Sequence, residues 1–120
     1  MKELKKEFTF SELIEFLKGE NKSIEIYSSC YYADYTIECI NEGKYDMFEP
    51  IIGIYKSSYS LTMCDDMEGK KPAMNIDDLI RFYEKSQYHH KCNIDRDVED
   101  GYRFENFEHA ILTDTHLVLL

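Results

Sequence analysis

The sequence predicts an α+β fold: an antiparallel sheet of about five or six strands (a meander) with two amphipathic helices packed on one face. Three observations carry this expectation. Two segments repeat apolar residues at helical spacing behind a capping signal. Between them, side chains alternate with period two, and the final five residues form an almost continuous apolar run. A chain of 120 residues with 43% hydrophobic content can bury roughly two thirds of its unfolded surface, which fits a single acidic domain over residues 1–120.

The first helix begins at Thr9. Its hydroxyl and the Glu12 carboxylate form a capping box, and Phe8 and Leu13 occupy the positions of a hydrophobic staple. Phe10, Leu13, Ile14 and Leu17 fall on one face, and Gly19 supplies the exit. From Ser23 to Cys64 the period becomes two. Ile24 and Ile26 alternate with polar residues, and Tyr35, Ile37 and Cys39 alternate with Thr36 and Glu38. Asn41-Glu42-Gly43 reads as a turn, Pro50 interrupts the next run, and Ile52-Ile54 and Tyr59-Leu61-Met63 follow across a hairpin turn at Ser57-Ser58. These make four short antiparallel strands.

Asp65 to Pro72 reads as a polar loop. The second helix is capped by Asn75, with Asp77 and Asp78 in its first turn, Ile76, Leu79, Ile80 and Tyr83 inward, and Met74 and Leu79 as a staple. Leu-Ile-x-Phe recurs in both helices without matching flanks, which reads as two similar amphipathic helices and not as a duplication. Gln87 to Gly101 is polar and charged. Tyr102 to Leu120 returns to apolar content: His116 to Leu120 is a buried terminal strand, and Phe104 to Leu112 reads alternatively as a short helix.

The charge is regional. Residues 1–22 are neutral, 23–60 carry −4, 61–91 carry −1 and 92–120 carry −5, for a net −10. Such a balance repels a nucleic-acid backbone, and no stretch is long and apolar enough for a membrane span. No signal peptide pattern is present, and Cys30, Cys39, Cys64 and Cys92 match no disulfide framework or zinc pair. The expectation is therefore four free thiols in the cytoplasm, with Cys30, Cys39 and Cys64 as small buried residues of strands.

Chemistry-bearing clusters are few. His89-His90-x-Cys92 is a soft-ligand set suited to zinc or thiol chemistry, but its spacing lacks a second ligand pair. Asp95-x-Asp97-x-Glu99-Asp100-Gly101 resembles the start of a calcium loop, yet Asp100 stands at the sixth position, where that turn needs glycine. No nucleophile motif or phosphate cradle occurs, so no cofactor and no catalytic residue are assigned. Ten tyrosines remain, seven of them in the sheet region, more than four short strands can bury.

These features point to a non-enzymatic, protein-binding domain in which exposed tyrosines anchor and carboxylates steer. The expected contacts are Tyr31, Tyr32 and Tyr35 with Asp95, Asp97, Glu99, Asp100, Glu105 and Glu108. The partner is a basic protein, a nuclease or other nucleic-acid-handling enzyme, blocked stoichiometrically and partly by nucleic-acid mimicry. Toxin-immunity proteins and the anti-defence proteins of phages and mobile elements are inhibitors of this kind. The alternatives are a small metal-dependent or thiol enzyme centred on His89, His90 and Cys92, or a self-associating scaffold module.

Overall fold

In a computed structural model, residues 1–56, 60–86, 88–97 and 104–120 are described. Strands β1 (Lys2–Leu4), β2 (Glu25–Ser28), β3 (Glu49–Lys56), β4 (Leu61–Asp65), β5 (Ile94–Asp97), β6 (Phe104–Asn106), β7 (Ala110–Leu112) and β8 (His116–Leu119) form one sheet. Its order is β1-β7-β8-β2-β3-β4-β5-β6. Helices α1 (Phe10–Phe16), α2 (Ala33–Asn41) and α3 (Ile76–Lys85) complete the fold, with a 3-10 turn at Tyr45–Met47.

This architecture corrects the expected antiparallel meander of five or six strands with two helices on one face. The sheet has eight strands and is mixed: β2 runs parallel to β8, and β4 parallel to β5. The chain remains α+β. Tyr35, Ile37 and Cys39 belong to helix α2 and not to a strand. Their alternation is real, but the same residues satisfy helical spacing, with Thr36, Cys39 and Ile40 buried. Gly43 (φ 71°) is the left-handed exit of that helix, where its N–H donates to Ile40 O and the Lys44 N–H to Cys39 O. What read as a strand turn is a helix terminus. Of the cysteines expected in strands, Cys39 is buried in α2, Cys30 is exposed in the loop before it, and only Cys64 lies in a strand; all four are free.

Helices α1 and α3 have the expected caps. Thr9 accepts from Glu12 N–H and Asn75 from Asp78 N–H, and the Glu12 and Asp78 carboxylates return the bond. Both pack their apolar faces on the main core, where Phe10, Leu13, Ile76 and Leu79 meet Ile26, Ile51, Leu61, Met63, Ile94 and Leu117. A second core lies on the opposite face. There Cys39 and Ile40 of α2 and Phe48 cover Ile111 and Val118. Strand β8 therefore alternates between two apolar environments, Leu117 and Leu119 in one and Val118 in the other, which explains its continuous apolar run.

The sheet curls. Strand β6 ends the order and β7 lies next to its other end, six spacings or about 29 Å away if the sheet were flat. Only residues 107–109 connect them, and such a link spans at most about 14 Å. The register irregularity in β3 between Ile51 and Gly53 is where the ladder bends. Phe8 and Phe107, stacked 6.4 Å apart, fill the space between the converging ends. The Ser57-Ser58 turn and Tyr59 lie outside the described residues. Among the described residues, no helix is long and apolar enough to cross a membrane.

Candidate functional site

Curling brings together residues far apart in sequence. The 107–109 link, strand β6 and the β2–α2 loop enclose a cleft of about 460 Å³ lined by Tyr31, Tyr32, Glu105, Glu108, Arg96, Lys5 and His109, among others. Four of the expected partner-binding residues, Tyr31, Tyr32, Glu105 and Glu108, thus share one cavity. Tyr32 is 92% exposed, and Tyr31 packs edge-on against Tyr35 with ring centroids 5.0 Å apart. Tyr35 extends this aromatic surface along α2, whose solvent side carries Asp34, Glu38 and Glu42 at successive helical turns. Among the described residues, the carboxylates of Glu108, Asp34 and Glu38 have no ionic or hydrogen-bond partner.

The acidic tract does not form one surface. Strand β5 alternates, so Asp95 and Asp97 project from the face opposite Arg96, which shares its face with Glu105. Asp95 and Asp97 therefore lie on the outer face of β3–β6, with Tyr55 and Phe104, rather than in the cleft. Burial raises the Asp95 carboxyl above its ordinary value, with the Glu7 charge acting the same way. Ile94–Asp97 is extended strand paired on both sides, with β4 and β6, and not the loop that an EF-hand calcium site needs. Glu99 and Asp100 lie outside the described residues.

Residues His89, His90 and Cys92 follow α3 in a turn whose backbone ties it to α1: the N–H groups of Phe10 and Ser11 donate to the carbonyls of Cys92 and His90. His90 Nε2 lies 2.9 Å from Tyr83 O, and its ring stacks on Tyr83 at 3.9 Å. Among the described residues, no group of three His, Cys, Asp or Glu side chains is placed to hold a metal. Burial pushes the Cys64 thiol up to about 11, which keeps it protonated and unreactive.

One cluster was not anticipated from the sequence. Glu49 of β3, Asp65 of β4, Arg96 of β5 and Ser28 of β2 meet at the inner end of the cleft. Arg96 is 17% exposed, lies 3.8 Å from both Glu49 Oε2 and Asp65 Oδ2, and donates from Nη1 to Ser29 O at 2.9 Å. Among the described residues, its buried Nε has no hydrogen-bond partner. Ser28 Oγ donates to Asp65 Oδ2 at 2.8 Å. Burial, then the hydrogen bond with Asp65 and its charge, push the Glu49 carboxyl up to about 7, against the pull of Arg96. The only hint in sequence was an arginine set between Asp95 and Asp97; its two acidic partners are 47 and 31 residues upstream.

Compared with known proteins, the chain matches no family model, no curated protein and no solved structure.

Proposed function

We propose that this protein is a non-enzymatic, stoichiometric inhibitor that docks its tyrosine-lined cleft, with the acidic stripe of α2 beside it, on a basic, nucleic-acid-handling enzyme. The observation that carries this reading is the convergence of Tyr31 and Tyr32 with Glu105 and Glu108 in one cleft. An exposed tyrosine offers large contact area at low entropic cost, and carboxylates beside it attract a cationic surface from a distance. The α2 stripe adds to that field. Glu38 and Glu42 sit toward the helix C-terminus, and Lys44 pairs with Glu42. Like charges one turn apart and carboxylates at that end cost the helix a few tenths of a kcal/mol each, so they bring the fold no stability. A surface of this kind competes with phosphates for a cationic groove, in the manner of toxin-immunity and anti-defence inhibitors.

The test is comparative capture. The wild type and a Glu105→Lys/Glu108→Lys variant with an unchanged melting temperature are used to capture proteins from the same native lysate. The reading holds if the wild type retains a basic nucleic-acid-handling protein that the variant loses, and if moderate salt or added nucleic acid releases it. Equal retention by both chains, or retention indifferent to salt, overturns it.

A further inference from the structure

The cluster behind the cleft is joined to the tyrosines by a short path of bonds. Arg96 holds the Ser29 carbonyl; Ser29 Oγ accepts from Tyr31 N–H at 3.1 Å and pairs with Thr36 Oγ1 at 2.8 Å; Thr36 N–H donates to Tyr32 O. The β2–α2 loop that presents Tyr31 and Tyr32 is therefore fastened at one end by a guanidinium, and that guanidinium stands between two carboxylates. Its contacts to both, at 3.8 Å, are longer than hydrogen bonds, and its Nε is unsatisfied among the described residues.

We infer that Arg96 is the positioning residue of the tyrosine loop, and that ionisation of Glu49 tightens its hold and raises the affinity of the cleft for a cationic partner. With Glu49 neutral, one net carboxylate balances one guanidinium. When Glu49 loses its proton, the guanidinium is drawn between two anions and its fork can satisfy both while Nη1 keeps Ser29 O. The cleft then also carries one more negative charge. Burial and the Asp65 carboxylate bring that proton loss to about 7, within the range a cell or an assay crosses. The groups facing Arg96 are Glu49, Asp65 and Ser28 from β3, β4 and β2, and Glu105 from β6. Lys5, Glu108 and His109 line the same cleft, with His109 Nε2 3.0 Å from Glu3 Oε1. The binding consequence rests on the docking reading above; the coupling of Glu49 to the loop does not.

Two measurements separate these. In the first, an NMR pH titration follows the Glu49 side-chain carboxyl carbon and the amides of Ser29 to Tyr32 in the free protein. The inference requires the loop amides to move with the same midpoint as Glu49, and that transition to vanish in Glu49→Gln, which preserves the shape of the side chain. In Arg96→Lys, a point charge without the fork, Glu49 still titrates but the loop amides cease to follow it. His109→Asn controls for the imidazole. Loop amides that ignore Glu49 in the wild type, or follow it equally in Arg96→Lys, overturn the inference. In the second measurement, a nona-arginine peptide is titrated at pH 6 and pH 8. Affinity should rise about fivefold in the wild type, the scale for one charge roughly 10 Å away near a protein surface, and stay flat in Glu49→Gln. An equal rise in both chains overturns the link to binding. If the peptide binds at neither pH, the docking reading fails, and the first measurement alone decides the coupling.

Discussion

The outer face of the sheet is built in two different ways. Over β7, β8 and β2 it is roofed by α2, so Ile111 and Val118 are fully buried and β7 is buried along its whole length. Over β3 to β6, the outward positions include Tyr55, 70% exposed, the half-buried Asp95 and Asp97, and Phe104, 49% exposed, around the buried Thr62. The same pleat thus serves packing on one half and charge on the other. The difference teaches what a covering helix does: beneath α2 the outward positions are apolar and buried, whereas over β3 to β6 the carboxylates Asp95 and Asp97 occupy them, and the irregularity in β3 lies between the two regimes. The cleft opens where the exposed half curls back to meet the covered one.

The sharpest break of this comparison sets Ile111→Ala against Tyr55→Ala, two truncations on the same face of the sheet. Ile111 should cost about 2–5 kcal/mol, since it leaves a cavity under α2, and Tyr55 no more than about 0.5 kcal/mol. Urea denaturation midpoints at constant slope read both, and similar losses would show that the outer half is covered too. Next comes the boundary itself. Glu49 titrates near 4.5 when unfolded and near 7 when folded, so the native state binds more protons between those values. Its contribution to stability is whole below about pH 4.5 and is lost as pH rises through about 7. Relative to the wild type, Glu49→Gln should therefore gain in melting temperature from pH 5 to pH 8; a difference that does not change with pH would remove Glu49 from the account.

Smaller effects concern the roof. Gly43→Ala forces a side chain into a positive φ at the end of α2 and should cost about 1 kcal/mol, read by chemical denaturation. Glu38→Lys relieves the Asp34–Glu38–Glu42 stripe and suits the helix dipole. It should stabilise by about 0.3–0.5 kcal/mol, while slowing association with a basic partner at low salt, as measured by stopped flow.

Helices α1 and α3 were legible because capping and staple residues lie within a few positions of each other, as in Thr9 with Glu12 and Asn75 with Asp78. Helix α2 was not, because Tyr32 provides no side-chain cap and nine residues rich in Tyr, Thr, Ile and Cys satisfy both periods. Strand β1 and strand β5 were missed for another reason. Lys2–Leu4 and Ile94–Asp97 have too few apolar residues to reveal a strand, and both take their place from neighbours distant in sequence, β7 and β4. At the site, residue type and regional charge suffice to single out Tyr31, Tyr32, Glu105 and Glu108. The separation of Asp95 and Asp97 from Glu105 followed from a strand that composition had marked as polar and charged.

By itself, then, the sequence determined the quantities that depend on neighbouring residues: the two capped helices, the apolar final strand, the regional charge and the excess of tyrosine. The tertiary structure alone decided the pairing of β2 with β8, the second core beneath α2 and the gathering of Glu49, Asp65 and Arg96. The physical reason is range. Caps and periodicities act over one or two turns of chain, whereas parallel pairing and the burial of charge take their energy from partners that only the curled sheet brings within a few ångströms.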